Sequence, residues 1–184
     1  MKKNQDKLLF KKTAMLFLMM VLFIACDKDD DAPTNPVDLL PPATQTGAGT
    51  FGCLVNGVPF VDNSGFFNCF YQLVNEEYYF GIRGRQESYI RQIGVGSEKK
   101  DINVGVPQTL KSQQDGNFYG RISFNCFNCL GATTLDGNPG MITFTKLDFE
   151  NNIISATFEF TVNDPNTGTI YEITEGRFDS FFTQ

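Results

Sequence analysis

The residues with the widest chemical repertoire in this 184-residue chain are four cysteines, Cys53, Cys69, Cys126 and Cys129. Cys126-Phe127-Asn128-Cys129 has the spacing of a dithiol redox motif, in which one thiolate attacks and the other resolves the mixed disulfide. Such a motif normally opens a helix, whose N-terminus lowers the thiolate pKa. Here it ends a strand-like run and leads into the turn Leu130-Gly131. Four thiolates could also hold zinc tetrahedrally. An exported chain with an even cysteine count favours disulfides over both alternatives. The expected pairing is Cys53–Cys69 with Cys126–Cys129, the first closing a loop of roughly 15 residues and contributing about 3 kcal/mol in the chain-entropy treatment.

The chain has no histidine. That removes Ser-His-Asp and Cys-His catalysis, imidazole acid/base work and His-ligated metals. Neither a cofactor nor a metal is expected. Paired carboxylates could still cleave a glycosidic bond, which needs two such groups roughly 5 to 9.5 Å apart. Glu172, Glu175 and Asp179 fall in one strand-like run. Strict alternation sets Glu175 and Asp179 on one face, about 13 Å apart along an extended strand, with Arg177 between them and Glu172 on the other face. That spacing is too long for a catalytic pair and reads as a row of crossed charges. Tyr79, Arg83 and Arg85 share one side of another run, beside Tyr78 and Phe80. Aromatic rings with guanidinium groups suit recognition of a sugar or a protein, so these three form the candidate ligand-binding face.

What positions these groups begins with the N-terminus. Lys2, Lys3, Lys7, Lys11 and Lys12 form a basic head, and an apolar run from Ala14 to Ala25 follows. The run has the length of a signal-peptide core and is shorter than the ~20 residues of a spanning helix. It ends Phe23-Ile24-Ala25-Cys26, which resembles the bacterial lipobox, with Phe23 where Leu is usual. Cys26 is therefore the expected lipidation site. Each buried methylene contributes about 0.8 kcal/mol, so the two or three acyl chains of such a cysteine anchor stably. Lys28-Asp29-Asp30-Asp31 follows at once. Carboxylates gain nothing from anionic headgroups, and the run looks like a short acidic signal for export to the cell surface. Asp27, Asp29 and Asp31 have the opening rhythm of a calcium loop but lack its later Gly and Glu.

Residues 1–25 are read as a signal peptide, 26–50 as a lipidated, acidic and Pro-rich tether, and 51–184 as one domain. Loss of the signal peptide takes 15 basic residues to 10 and 21 acidic ones to 20, a net charge near −10. Nucleic acid is excluded as a partner, because phosphates require Lys and Arg. The tether carries Pro33, Pro36, Pro41 and Pro42, then Thr46-Gly47-Ala48-Gly49, and reads as semi-extended and then flexible.

The domain reads as β almost throughout. Ile154, Ala156, Phe158, Phe160 and Val162 alternate with polar residues, the period of a half-buried strand. Asn163–Gly168 is turn chemistry, and 169–182 resumes a strand. Asn56-Gly57 between 51–55 and 58–61 is the strongest hairpin signal. Further strands are expected at 66–74, 78–85, 88–95, 118–125 and 141–148. Eight to ten antiparallel strands predict an all-β sandwich or flattened barrel, its interior filled from the 19 Phe of a chain without Trp.

The segments 40–60, 69–80, 142–162 and 171–179 resemble, in order, an uncharacterised family of Bacteroidetes lipoproteins with a β-rich domain of unknown function. Residues 96–140 depart most from that pattern. The resemblance implies an outer-membrane lipoprotein and supplies no catalytic residues. Together these readings point to a surface-exposed, non-enzymatic binding or accessory module with an envelope protein or glycan partner. A carboxylate-dependent glycan hydrolase is the alternative.

Overall fold

The computed structural model describes residues 35–65 and 68–184. Cys26 and the Lys28–Asp31 run lie outside the described residues.

Alternating and apolar runs separated by turn chemistry give, among the described residues, eleven strands: β1 (Thr50–Val55), β2 (Val58–Val61), β3 (Asn68–Val74), β4 (Glu77–Arg85), β5 (Ile90–Glu98), β6 (Gln108–Leu110), β7 (Asn117–Phe124), β8 (Ala132–Thr133), β9 (Gly140–Asp148), β10 (Ile153–Asn163) and β11 (Ile170–Phe181). Asn56 and Gly57 both have positive φ, 48° and 79°, as a type I′ hairpin demands. The order in space is β2-β1-β11-β10-β9-β6-β7-β5-β4-β3, with β8 beside β7. Among the described residues the strand pairings are antiparallel except β6 with β7, where Leu110 faces Phe118 in parallel, and the isolated bridge of Phe70 with Thr183 is parallel too. The all-β expectation holds, as one mixed, curled, barrel-like sheet. The count and the purely antiparallel pairing are corrected: β6 and β8 have three and two residues, too few to show a period.

Hydrogen bonds tie the two ends of this order into the curl. At one end Tyr71 N–H donates to Thr183 O (2.9 Å) and Thr183 N–H to Cys69 O (3.0 Å), joining β3 to the chain just past β11. Elsewhere Asn63 N–H donates to Arg85 O (3.2 Å), and the Asp62 carboxylate accepts from Arg85 N–H, joining the segment after β2 to the end of β4. The inner face is one apolar cluster. Phe51, Phe80, Phe118 and Phe144 are fully buried in it, with Phe158, Phe160 and Phe178, each contributing roughly 1.5–3 kcal/mol on burial. β10 keeps the expected alternation, with Ala156, Phe158, Phe160 and Val162 inside and Thr157 and Glu159 exposed. Gly120 makes room for this packing: a Cβ there would lie 2.7 Å from the Phe160 ring.

Residues 35–49 correct the tether expectation. Pro36–Leu39 forms a 3-10 turn, Leu40 is buried, and Pro41 packs on Gly52. The segment 44–48 is fastened by Asp179, described next.

Candidate functional site

β11 does not alternate strictly. Its register shifts between Ile173 and Gly176 against β10 and between Thr174 and Arg177 against β1, and Glu175 sits there with φ 53°. The bulge flips parity: Ile173 and Phe178 both belong to the core, so Glu172 shares the outward face with Arg177 and Asp179. This corrects the expected placement of Glu172. Glu175 pairs with Arg177 (Oε2 to Nη2, 2.8 Å).

Asp179 is wholly buried beneath the segment that leads into β1. Its carboxylate accepts from Thr44 Oγ1 (2.6 Å), Thr46 N–H (2.8 Å), Thr46 Oγ1 (3.2 Å), Gly47 N–H (2.8 Å), Ala48 N–H (3.2 Å) and Ser155 Oγ (2.8 Å). Burial alone would raise its pKa, but the donors of Thr44, Thr46, Gly47 and Ser155 hold it well below the usual carboxylate range. Asp179 is a structural clamp with its lone pairs engaged. It cannot serve as a proton donor or nucleophile in this fold.

The cysteines divide differently from the expectation. Cys126 and Cys129 are joined, with Cα atoms 5.5 Å apart. Cys53 and Cys69 are free thiols, which corrects the expected bond. The sheet register explains this: Cys53 faces Phe60 across β1–β2 and Cys69 faces Ile82 across β3–β4, both as small apolar members of the core. Burial pushes both thiols far above their ordinary pKa, so neither is poised to react. Among the described residues no three His, Cys, Asp or Glu side chains gather as a metal site. The bonded pair closes a loop that displays Phe127 at 94% exposure. Leu130, just past it, exchanges two hydrogen bonds with Asn166, whose amide donates to Asp164. Asp164 also accepts from Tyr89 Oη (3.0 Å), tying three loops together at one end of the barrel.

The outward face of β3, β4, β5 and β7 carries the candidate site. Tyr79, Arg83 and Arg85 lie on that face of β4, as expected, alternating with buried Phe80, Ile82 and Gly84. Of the three, only Arg83 enters a hollow of ≈ 200 Å³. Its architecture follows from two rows of the sheet register. One row reads Phe70–Gly81–Gly96–Tyr119, and the next reads Asn68–Arg83–Gly94–Arg121. Gln92 and Ser123, paired in the row beyond, complete the wall.

Glycine makes the floor, and none of the three is there for positive φ. A Cβ at Gly94 would lie 2.5 Å from Ile82 O and 3.1 Å from Arg83 Cβ. At Gly81 it would meet the Phe70 ring (2.6 Å), and at Gly96 the Tyr119 hydroxyl (2.8 Å). Arg83 and Arg121 are exposed on either side of buried Gly94. Burial lifts the Tyr119 phenol, Glu98 adds to the rise, and Arg121 and Arg83 both oppose it. Both guanidinium groups therefore act electrostatically on one hydroxyl. Tyr119, Arg121 and Phe70 were not among the candidates read from sequence. Alternation in 118–125 sets Tyr119, Arg121 and Ser123 on one face, but their proximity to Arg83 depends on the β5–β7 and β4–β5 registers.

Compared with models of protein families, with curated proteins and with solved structures, the chain matches none.

Proposed function

We propose that the chain is an outer-membrane lipoprotein, anchored through Cys26 and displayed at the cell surface, whose β domain is a non-enzymatic binding module with the β3–β4–β5–β7 hollow as its binding face. The observation that carries the reading is the pair Arg83 and Arg121 standing over the bare backbone of Gly94. An open depression with a few convergent polar groups is what a recognition site offers. The anchor rests on the basic head, the short apolar core and Ala25-Cys26, and the outward display on Lys28-Asp29-Asp30-Asp31. The resemblance to Bacteroidetes lipoproteins, carried by segments 40–60, 69–80, 142–162 and 171–179, supports the same location.

The binding face is tested by placing a photo-crosslinking residue at Ser123, in the wall of the hollow, or at Glu150, in the exposed β9–β10 turn, of the full-length anchored protein in intact envelopes. Adducts from position 123 and not from 150 are expected. Equal labelling, or none at 123, overturns the reading. The location is tested on the same material. Cys26→Ala should leave the membrane fraction, and Asp29→Ala/Asp30→Ala/Asp31→Ala should lose protease accessibility on whole cells.

A further inference from the structure

We infer that the hollow takes an acidic saccharide, its acid group bridged between Arg83 and Arg121 and its hydroxyls met by the rest of the lining. This rests on the hollow being the binding face.

The first ground is that these cations lack partners. Lys99 pairs with Asp115, Lys146 with Asp148 and Arg177 with Glu175. Arg83 and Arg121 have no ion pair and no side-chain hydrogen bond among the described residues, as is also true of Arg85, Arg91, Lys100 and Lys111; what sets the two apart is that both line one hollow, in a chain with 21 acidic groups against 15 basic ones. Four of the five arginines, Arg83, Arg85, Arg91 and Arg121, stand on β4, β5 and β7. A local concentration of fixed positive charge on a net-negative molecule favours an anionic ligand over the rest of its surface.

The second ground is geometry. Arg83 and Arg121 both pair with Gly94, from opposite sides. Their Cα atoms are thus two strand spacings apart, about 10 Å, within the combined reach of two Arg side chains. No side chain rises between them. Guanidinium groups match the oxygens of a carboxylate, sulfate or phosphate by paired N–H donors. The Tyr119 hydroxyl lies in the field of both and has no hydrogen-bond partner among the described residues. It can donate a further bond to the same anion.

The third ground is the remaining wall. Asn68, Gln92 and Ser123 offer amide and hydroxyl groups suited to sugar hydroxyls, and Phe70 an apolar edge suited to a sugar C–H face. Glu98, whose carboxylate accepts a hydrogen bond from the Gln113 amide, is the acidic group on the Tyr119 side. It confines the anion to the Arg83–Arg121 end.

The test is calorimetric titration of the full-length lipoprotein in detergent with a uronate oligosaccharide, a sulfated oligosaccharide, a neutral oligosaccharide of the same length, and inorganic sulfate and phosphate. Both Arg side chains are exposed, so Arg83→Gln and Arg121→Gln should keep the wild-type melting temperature, and Arg177→Gln serves as the distant control. At least one acidic oligosaccharide should bind. Each hollow variant should weaken it tenfold or more, Arg177→Gln should not, and raising salt should weaken it further. Equal binding of the neutral oligosaccharide, or unchanged binding by both hollow variants, overturns the anion assignment. Inorganic sulfate or phosphate binding as tightly as the oligosaccharide overturns the saccharide assignment. If no probe binds while Ser123 still crosslinks in envelopes, the binding face survives and the acidic-saccharide inference falls. If Ser123 also fails to crosslink, both fall.

Discussion

Replacing Asp179 by Ala should release residues 44–48 from the sheet and cost the domain about 3–5 kcal/mol. The magnitude follows from its contacts. Four donors lie at 2.6–2.8 Å and two at 3.2 Å, three of them backbone N–H groups. Hydrogen bonds to a charged acceptor contribute roughly 1.5–3 kcal/mol each, so a plain sum over the four short ones would be about 6–12 kcal/mol. The variant need not lose that much. Once undocked, the segment regains backbone freedom of about 1–2 kcal/mol per residue, and its donors return to water. What remains is comparable to breaking a buried charged pair by removing one partner. Urea unfolding measures the loss, and hydrogen exchange at the Thr46, Gly47 and Ala48 amides measures the release. Asp179→Asn adds a check on charge. The folded carboxyl sits below its unfolded value, so its contribution is complete above the unfolded Asp pKa of about 3.9 and is lost as pH falls through the folded one. Wild-type stability should therefore decline as pH drops below about 5, and Asp179→Asn should flatten that slope. A loss under about 1 kcal/mol, less than one average charged hydrogen bond, with amide protection unchanged, would refute the clamp.

Three further outcomes follow from the core and the cysteines. Gly120→Ala, which sets a Cβ 2.7 Å from the Phe160 ring, should destabilise by about 1–3 kcal/mol through overpacking, read as a lowered urea midpoint. Cys53 and Cys69 should resist alkylation in the native protein and both react after unfolding, as mass spectrometry would show, because burial keeps them protonated and covered. A Cys126→Ser/Cys129→Ser variant should lose no more than about 2 kcal/mol, since so short a loop restrains the unfolded chain little, with the sheet's circular dichroism intact.

What could be read from the sequence was whatever depends on near neighbours. β10 alternates from Ala156 to Val162, and Asn56-Gly57 sets its own turn geometry, so both were legible. β6 was not, because three residues have no period and its place is fixed by partners on β7 and β9. The segment 41–49 has the composition of a linker, and nothing in it reveals that its acceptor lies up to 135 residues downstream. Glu172 was set on the wrong face because one bulge residue, Glu175, inverts a period-2 count. Cys53 and Cys69 are close in sequence, yet the chain reverses between them into separate hairpins. The site itself was half legible: alternation gave Arg83 its face, but Arg121 is 38 positions away and reaches it only through two inter-strand registers.

The origin of the hollow separates its structural part from its functional part. Gly94 is dictated by the sheet, because the curl brings Ile82 O to where its Cβ would be, and sharply bent strands take glycine at such points. Gly81 and Gly96 similarly lie under Phe70 and Tyr119. A depression on this face is thus a by-product of closure and needs no ligand to explain it. The flanking side chains have no such excuse. Positions 83 and 121 point outward and make no ion pair or side-chain hydrogen bond among the described residues, and a strand surface there would be better served by Thr or Val, by up to about 1 kcal/mol each. Two like charges facing one gap also repel. The fold accounts for the bare floor; the arginines on both sides of it are what the proposed anion would engage, and the titrations of Arg83→Gln and Arg121→Gln decide whether it does.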